Sequence, residues 1–248
     1  MPFTLVAFHK AAVSATLLAL QPIADPHVTV FGNDLTVPEL DMIVAALGFG
    51  GAPTQMQLQS PNLREIFMED VAHLIGTEVT TPTDGHLLDR RDSPIELVRS
   101  EKLNVFTIHT TDGWCLIWLA DDSISPKSGE IRTVSATTGH TTAENVWENV
   151  ALAFSQTLPA GRYEIVGMHA YGTNLLAARL VFTGGGWRPG VPAGADINSK
   201  SDERFRNGEF GSFGEFEFDS PPTVDLLGSG VTAAEVIHFD LIQIRKGR

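Results

Sequence analysis

Eight histidines and 30 acidic residues are the raw material for chemistry in this 248-residue chain, and their spacing decides what they can do. His109, His140, His169 and His238 fall where strand patterns are densest, and a cupin-like barrel would draw metal ligands from neighbouring strands of that kind. Their separations are long, no His-x-His pair occurs, and no acidic residue sits at a diagnostic offset, so no metal and no cofactor are expected. Among the carboxylates, Asp121-Asp122 are adjacent, while Glu215, Glu217 and Asp219 alternate and would share one face of a strand. Such a row could serve acid–base chemistry or bind calcium, but with Phe213, Phe216 and Phe218 interleaved it reads as the acidic solvent face of a strand. Cys115 is the only cysteine, which rules out an intrachain disulfide, and its place between Trp114 and Leu116 marks a buried, inert thiol.

The glycine runs lack the residues that make phosphate loops. Gly184-Gly185-Gly186 leads into Trp187-Arg188 with no Gly-Lys-Ser/Thr. Gly48-Phe49-Gly50-Gly51 follows a helix-like run, the wrong order for a dinucleotide fingerprint, and aromatics separate Gly208, Gly211 and Gly214. There is no Gly-x-Ser-x-Gly elbow and no His-Glu-x-x-His. No catalytic residue is assigned, and the expectation is a protein that is not an enzyme.

A formal charge of −13 argues against direct nucleic-acid binding, which needs clustered Lys and Arg; the closest approach is the tail Arg245-Lys246-Gly247-Arg248. Phe3–Leu20 is apolar-rich but broken by His9 and Lys10. It is too short and polar to span a membrane as a helix and lacks the basic start of a signal peptide, so it reads as part of the fold or an assembly arm.

These side chains must be positioned mainly by strands. Glycine (23) and proline (14) supply many turns, and the apolar fraction of 43% fits a folded chain with a sizeable core. Beyond Ser93 the apolar period is two: Ile95–Val98, Asn104–Thr110, Trp114–Ala120, Glu130–Ala136, Val146–Gln156, Glu209–Phe218, Thr223–Leu227 and Glu235–Ile244 are strand candidates. Thr111-Asp112-Gly113 reads as a hairpin loop between two of them. Tyr163–Tyr171 and Asn174–Thr183 read as a second hairpin, with Gly172-Thr173 as its turn.

The first third has a different texture. After the strand candidate Val28–Phe31 and the turn Gly32-Asn33-Asp34, Pro38 opens a predicted helix over Glu39–Leu47. Leu40, Ile43, Val44 and Leu47 fall on one face and Gly48 stops it. Ser60-Pro61 opens a second predicted helix carrying Leu63, Ile66, Phe67, Val71 and Leu74, with Gly76 as its stop. The loop-like Thr77–Ser93 then divides the chain into a partly helical N-terminal α+β arm or subdomain, 1–92, and a β domain, 93–248. The predicted fold class is mainly β, an antiparallel sandwich of jelly-roll or Greek-key type, with a double jelly roll as the alternative.

Four segments carry a resemblance: SGEIRTV (Ser128–Val134), ENVWENVALAFSQTLPAGRYEIVGMHAY (Glu144–Tyr171), AARLVFTGGGWRPGVPA (Ala177–Ala193) and FRNGEFGSFGEFEFDSPPTVDLL (Phe205–Leu227). In texture and order they resemble jelly-roll coat proteins of viruses that infect microbes. The resemblance implies a capsid subunit of the virion, made in the host cytoplasm. It would assemble with copies of itself and with other virion proteins, without catalytic residues. Trp187, Arg188 and Pro189 in the long loop, with Phe210 and Phe213, are the assembly contacts expected on this view, since Trp and Arg often anchor interfaces. Two other readings compete. One is a lectin-like sandwich using Trp187 or Trp114 as a sugar platform, and the other is a cupin-like metal enzyme.

Overall fold

The computed structural model describes residues 3–11, 14–36, 40–51, 55–61, 63, 71–74, 87–98, 100–194 and 203–246. Two compact units divide the chain, one built from Leu5–Ser123 and the other from Ile124–Arg248 together with Met1–Thr4. The break falls at Ser123/Ile124, later than the loop signals of Thr77–Ser93 place it. Strands on both sides of that loop pair with each other inside the first unit. Among the described residues no helix is long and apolar enough to cross a membrane.

Among the described residues, the strand registers of the first unit run antiparallel. In chain order its strands are β1 (Phe3–Ala11), β2 (Ser14–Ala19), β3 (Gln21–Pro22), β4 (Thr29–Phe31), β5 (Asp34–Thr36), β6 (Met42–Gly50), β7 (Gln55–Gln59), β8 (Val71–Leu74), β9 (Leu87–Asp89), β10 (Ile95–Glu96), β11 (Asn104–His109) and β12 (Asp112–Ala120). One sheet runs β10-β6-β12-β1-β3, with β9 also on β6, and a second runs β2-β11-β7-β8; β4 and β5 form a separate hairpin.

The helix predicted over Glu39–Leu47 is corrected: from Met42 the chain is strand β6, and Glu39 lies outside the described residues. Its residues from Ile43 to Gly50 are all buried, as are those of its partner β12 from Gly113 to Ala120. A strand covered on both faces carries an unbroken apolar run, and such a run fits a helical stripe as readily as a strand. Gly48, read as a helix stop, is instead a packing device: the sulfur of Met56 on β7 lies 2.2 Å from where a Cβ would stand. The second predicted helix is corrected at its end, where Val71–Leu74 is strand β8 paired with Gln59–Met56. Residues 64–70 of that expectation lie outside the described residues. Among the described residues, the N-terminal region expected to be partly helical is β-structure. The expected hairpin around Thr111-Asp112-Gly113 is also absent, because β11 and β12 join different sheets.

The second unit contains β13 (Ile131–Thr137), β14 (Trp147–Val150), β15 (Ala153–Phe154), β16 (Gly161–Val181), β17 (Gly190–Gly194), β18 (Gly214–Glu217) and β19 (Thr223–Lys246). The hairpin expected at Gly172-Thr173 does not form. The chain continues through it as β16, 21 residues long, which pairs with the 24-residue β19. Thr173 pairs with Ala233 but Leu175 pairs with Gly228, so β19 carries a multi-residue bulge opposite the apparent turn. Asn174 (φ 59°) and Ala234 (φ 55°) take the left-handed backbone there, and a Cβ on Gly172 would stand 3.2 Å from the Ala233 carbonyl. The turn chemistry in the sequence is spent on a bend shared by both strands. On one side of it β13 and β18 flank the pair, on the other β14 does, and β17 pairs with β16 on both sides.

The core of this unit holds a cluster of aromatic rings. Phe3 meets Phe210 and Phe213 edge-on, each at 5.0 Å between ring centres, and Phe205 lies 4.4 Å from Phe210.

Candidate functional site

The site residues expected from sequence are all in the second unit, and four of the five are buried by their own chain. Phe210 and Phe213 are fully buried against Phe3. Arg188 and Pro189 are buried where the chain enters β17. The backbone N–H of Arg188 donates to Thr4 Oγ1 (3.2 Å), and its Nη1 donates to the carbonyls of Gly185 and Trp187, both at 2.8 Å. Trp187 alone is half-buried, so it is the one member of the set with surface to offer.

That surface lines a cleft of about 350 Å³. Phe182, just past the end of β16, also lines it, together with Phe213 and Gly214. Gly214 has φ 127°, and a Cβ there would come within 2.7 Å of the Phe182 ring, so glycine is required for this ring to seat. The polar rim holds Lys127, Glu164, Ser212 and Glu215. Lys127 Nζ lies 3.0 Å from Glu164 Oε1, and Glu215 Oε2 lies 2.7 Å from Arg162 Nη2 across the β16–β18 ladder. The acidic row Glu215, Glu217, Asp219 is thus partly neutralised from neighbouring strands, since Glu217 Oε1 accepts from Arg245 at 2.7 Å. The solvent-face reading of this row fits that arrangement.

Of the four histidines singled out from the sequence, the structure brings two together. His169 and His238 are direct cross-strand partners on β16 and β19, with ring centres 5.7 Å apart, and Tyr171 lies 5.5 and 5.7 Å from them. Burial lowers both imidazoles, His169 to about 4, with the neighbouring Arg206 cation adding to the effect. Both rings are therefore neutral at pH 7. His169 Nε2 is sealed from solvent without a hydrogen-bond partner.

Beside them Asp240 is fully buried. It accepts from Arg206 Nε (2.7 Å) and Nη2 (2.9 Å), from the Asn207 amide (2.9 Å) and from Thr133 Oγ1 (2.7 Å). Burial alone would raise this carboxyl, but the four donated bonds outweigh it and hold it below the usual range.

The remaining two histidines are isolated from this pair. His140 Nε2 is 2.7 Å from Glu148 Oε2. His109, in the first unit, is buried and donates to the Lys10 carbonyl at 3.2 Å; desolvation lowers it. Among the described residues no three His, Cys, Asp or Glu side chains converge as a metal site. Cys115 is fully buried, and burial pushes its thiol far up, which keeps it protonated and unreactive.

The groups missed from sequence are Asp240 with Arg206, and Arg179 with Asp225. The latter pair lies cross-strand on β16 and β19, with Arg179 Nε 3.0 Å from Asp225 Oδ2 and its guanidinium 4.0 Å over the Trp147 ring. No local pattern marks these pairs, because each depends on the register between distant segments. Compared with known protein families and with curated protein sequences, the chain matches no family model and no individual sequence.

Proposed function

We propose that this protein is a structural subunit of a virion, a coat protein of jelly-roll type that assembles with copies of itself. The observation that carries the reading is the tandem of two β units, Leu5–Ser123 and Ile124–Arg248 with Met1–Thr4, whose described strand ladders run antiparallel. This is the layout that the double-barrel form of such a subunit calls for. The resemblance of Ser128–Leu227 to microbial-virus coat proteins supports it from the sequence side. No catalytic step is assigned to the protein on this reading.

The contacts with neighbouring subunits fall to apolar side chains that their own unit leaves open. Phe31 at the tip of the β4–β5 hairpin is 53% exposed, and Val231 in the β19 bulge is 67% exposed. Burying such side chains against a second copy is favourable by roughly 25 cal/mol per Å² of apolar surface. The formal charge of −13 suits an outer layer rather than a lining against nucleic acid.

Light scattering coupled to size-exclusion chromatography, followed by negative-stain microscopy, tests the proposal. Trimers, pentamers or larger closed particles are expected, and the paired substitution Phe31→Ser with Val231→Ser should shift them toward monomer. A strictly monomeric protein at high concentration, across varied salt and pH, overturns it.

A further inference from the structure

We propose that the Trp187 cleft of the second unit binds a neutral sugar, one or two pyranose rings seated on the indole. This goes beyond assembly and does not depend on it.

Three observations select the ligand class. The first is the aromatic lining. Trp187 and Phe182, both only half-buried, line a cleft of about 350 Å³, at the lower end of the roughly 300–1,000 Å³ typical of small-molecule sites. The C–H faces of a pyranose pack on such rings.

The second is charge balance. Both rim carboxylates already hold a cation, Glu164 with Lys127 and Glu215 with Arg162. An anionic ligand would meet two carboxylates. A cationic one would have to displace Lys127 or Arg162. A carboxylate has about four lone-pair positions and one cation does not fill them, so each Glu keeps acceptors for hydroxyl donors, while Lys127 and Ser212 supply donors. A purely apolar ligand would strip water from these groups without replacing it. A neutral polyol satisfies both the rings and the rim.

The third is preorganisation. Arg188 is buried and ties the carbonyls of Gly185 and Trp187 to its guanidinium at 2.8 Å, which fixes the segment carrying the indole. Gly214, in a backbone conformation strained for any other residue, leaves the space that the Phe182 ring occupies. A loop fixed before binding does not lose that freedom on binding.

The test is titration of the whole protein with methyl glycosides of glucose, galactose, mannose and N-acetylglucosamine. Calorimetry and saturation-transfer NMR read binding, and a thermal melt of each variant reports folding. At least one glycoside should bind saturably in the millimolar range or tighter. Trp187→Ala should weaken it by about tenfold or more and Trp187→Phe by less, as expected for loss of an aromatic face. Glu215→Gln, which leaves the aromatic walls intact, should weaken it several-fold with little change in melting temperature. Absence of saturable binding by every glycoside in the panel overturns the proposal. So does binding that is unchanged in both Trp187→Ala and Glu215→Gln. Neither result touches the oligomeric state, so failure here is distinguishable from failure of the coat-subunit reading.

Discussion

His169 and His238 show how much of this protein's chemistry depends on one pairing. Each is an unremarkable histidine in the sequence, far from the other, and only the β16–β19 register makes them neighbours. Facing them are Tyr171 on β16, Asp240 on β19 and Arg206 from the turn after the short 3-10 segment Glu203–Phe205, while β13 contributes Ser135 opposite His238 and Thr133 to Asp240. With its negative charge engaged by Arg206, Asp240 has little left to offset a proton on either ring. His169 has its pKa lowered from 6.5 to about 4 on folding, so the unfolded chain binds protons that the folded one refuses. Stability from this group is therefore full above pH 6.5 and declines as the pH falls toward 4, by an amount on the order of 3 kcal/mol. Urea unfolding of the full chain should show this loss between pH 7 and 4.5, and His169→Gln should flatten it. An identical slope in the variant would remove His169 as the cause. Asp240, depressed on folding, gives stability that is lost only at lower pH, as the pH drops through its folded-state value.

Among the elements, β6 carries the clearest lesson about reading a chain without its partners. Met42–Gly50 places apolar side chains at spacings that satisfy a helix, and Pro38 and Gly48 supply plausible ends. What the segment itself does not contain is β12, whose own apolar run covers it and makes strand the better state. Alternating strands such as Asn104–His109 and Ile131–Thr137 were readable because one face of each meets solvent and the period survives. The Trp187 cleft was half-readable: the tryptophan stood out, but the carboxylates reach it from β16 and β18, and nothing local links them. The packing role of Gly48 is directly testable. Gly48→Ala puts a methyl where the Met56 sulfur lies, so it should destabilise by roughly 1–3 kcal/mol. In a double-mutant cycle with Met56→Ala, the two losses should be less than additive. In an exposed helix interior the same change would instead stabilise by about 1 kcal/mol, so the sign of the effect separates strand from helix.

At the scale of the molecule, β1 is shared: its residues from Leu5 onward belong to the first unit, and Phe3 and Thr4 belong to the second. Phe3 is fully buried between Phe210 and Phe213, and Thr4 Oγ1 accepts from the Arg188 amide. Phe3→Ala should therefore destabilise the second unit by about 3–5 kcal/mol, read by the protection of β16 and β19 amides in hydrogen exchange, while β6 and β12 change little. Equal loss in both sets would mean that the two units unfold as one. The same arrangement orders events during synthesis. The ribosome releases Phe3 more than 200 residues before Phe210 and Phe213, so the first unit can close around Leu5–Ala11 while the second still lacks the ring it must enclose. Phe3 is thus made long before the rings that enclose it, and a chaperone or an early neighbour that captured Phe3 in that interval would delay completion of the second unit.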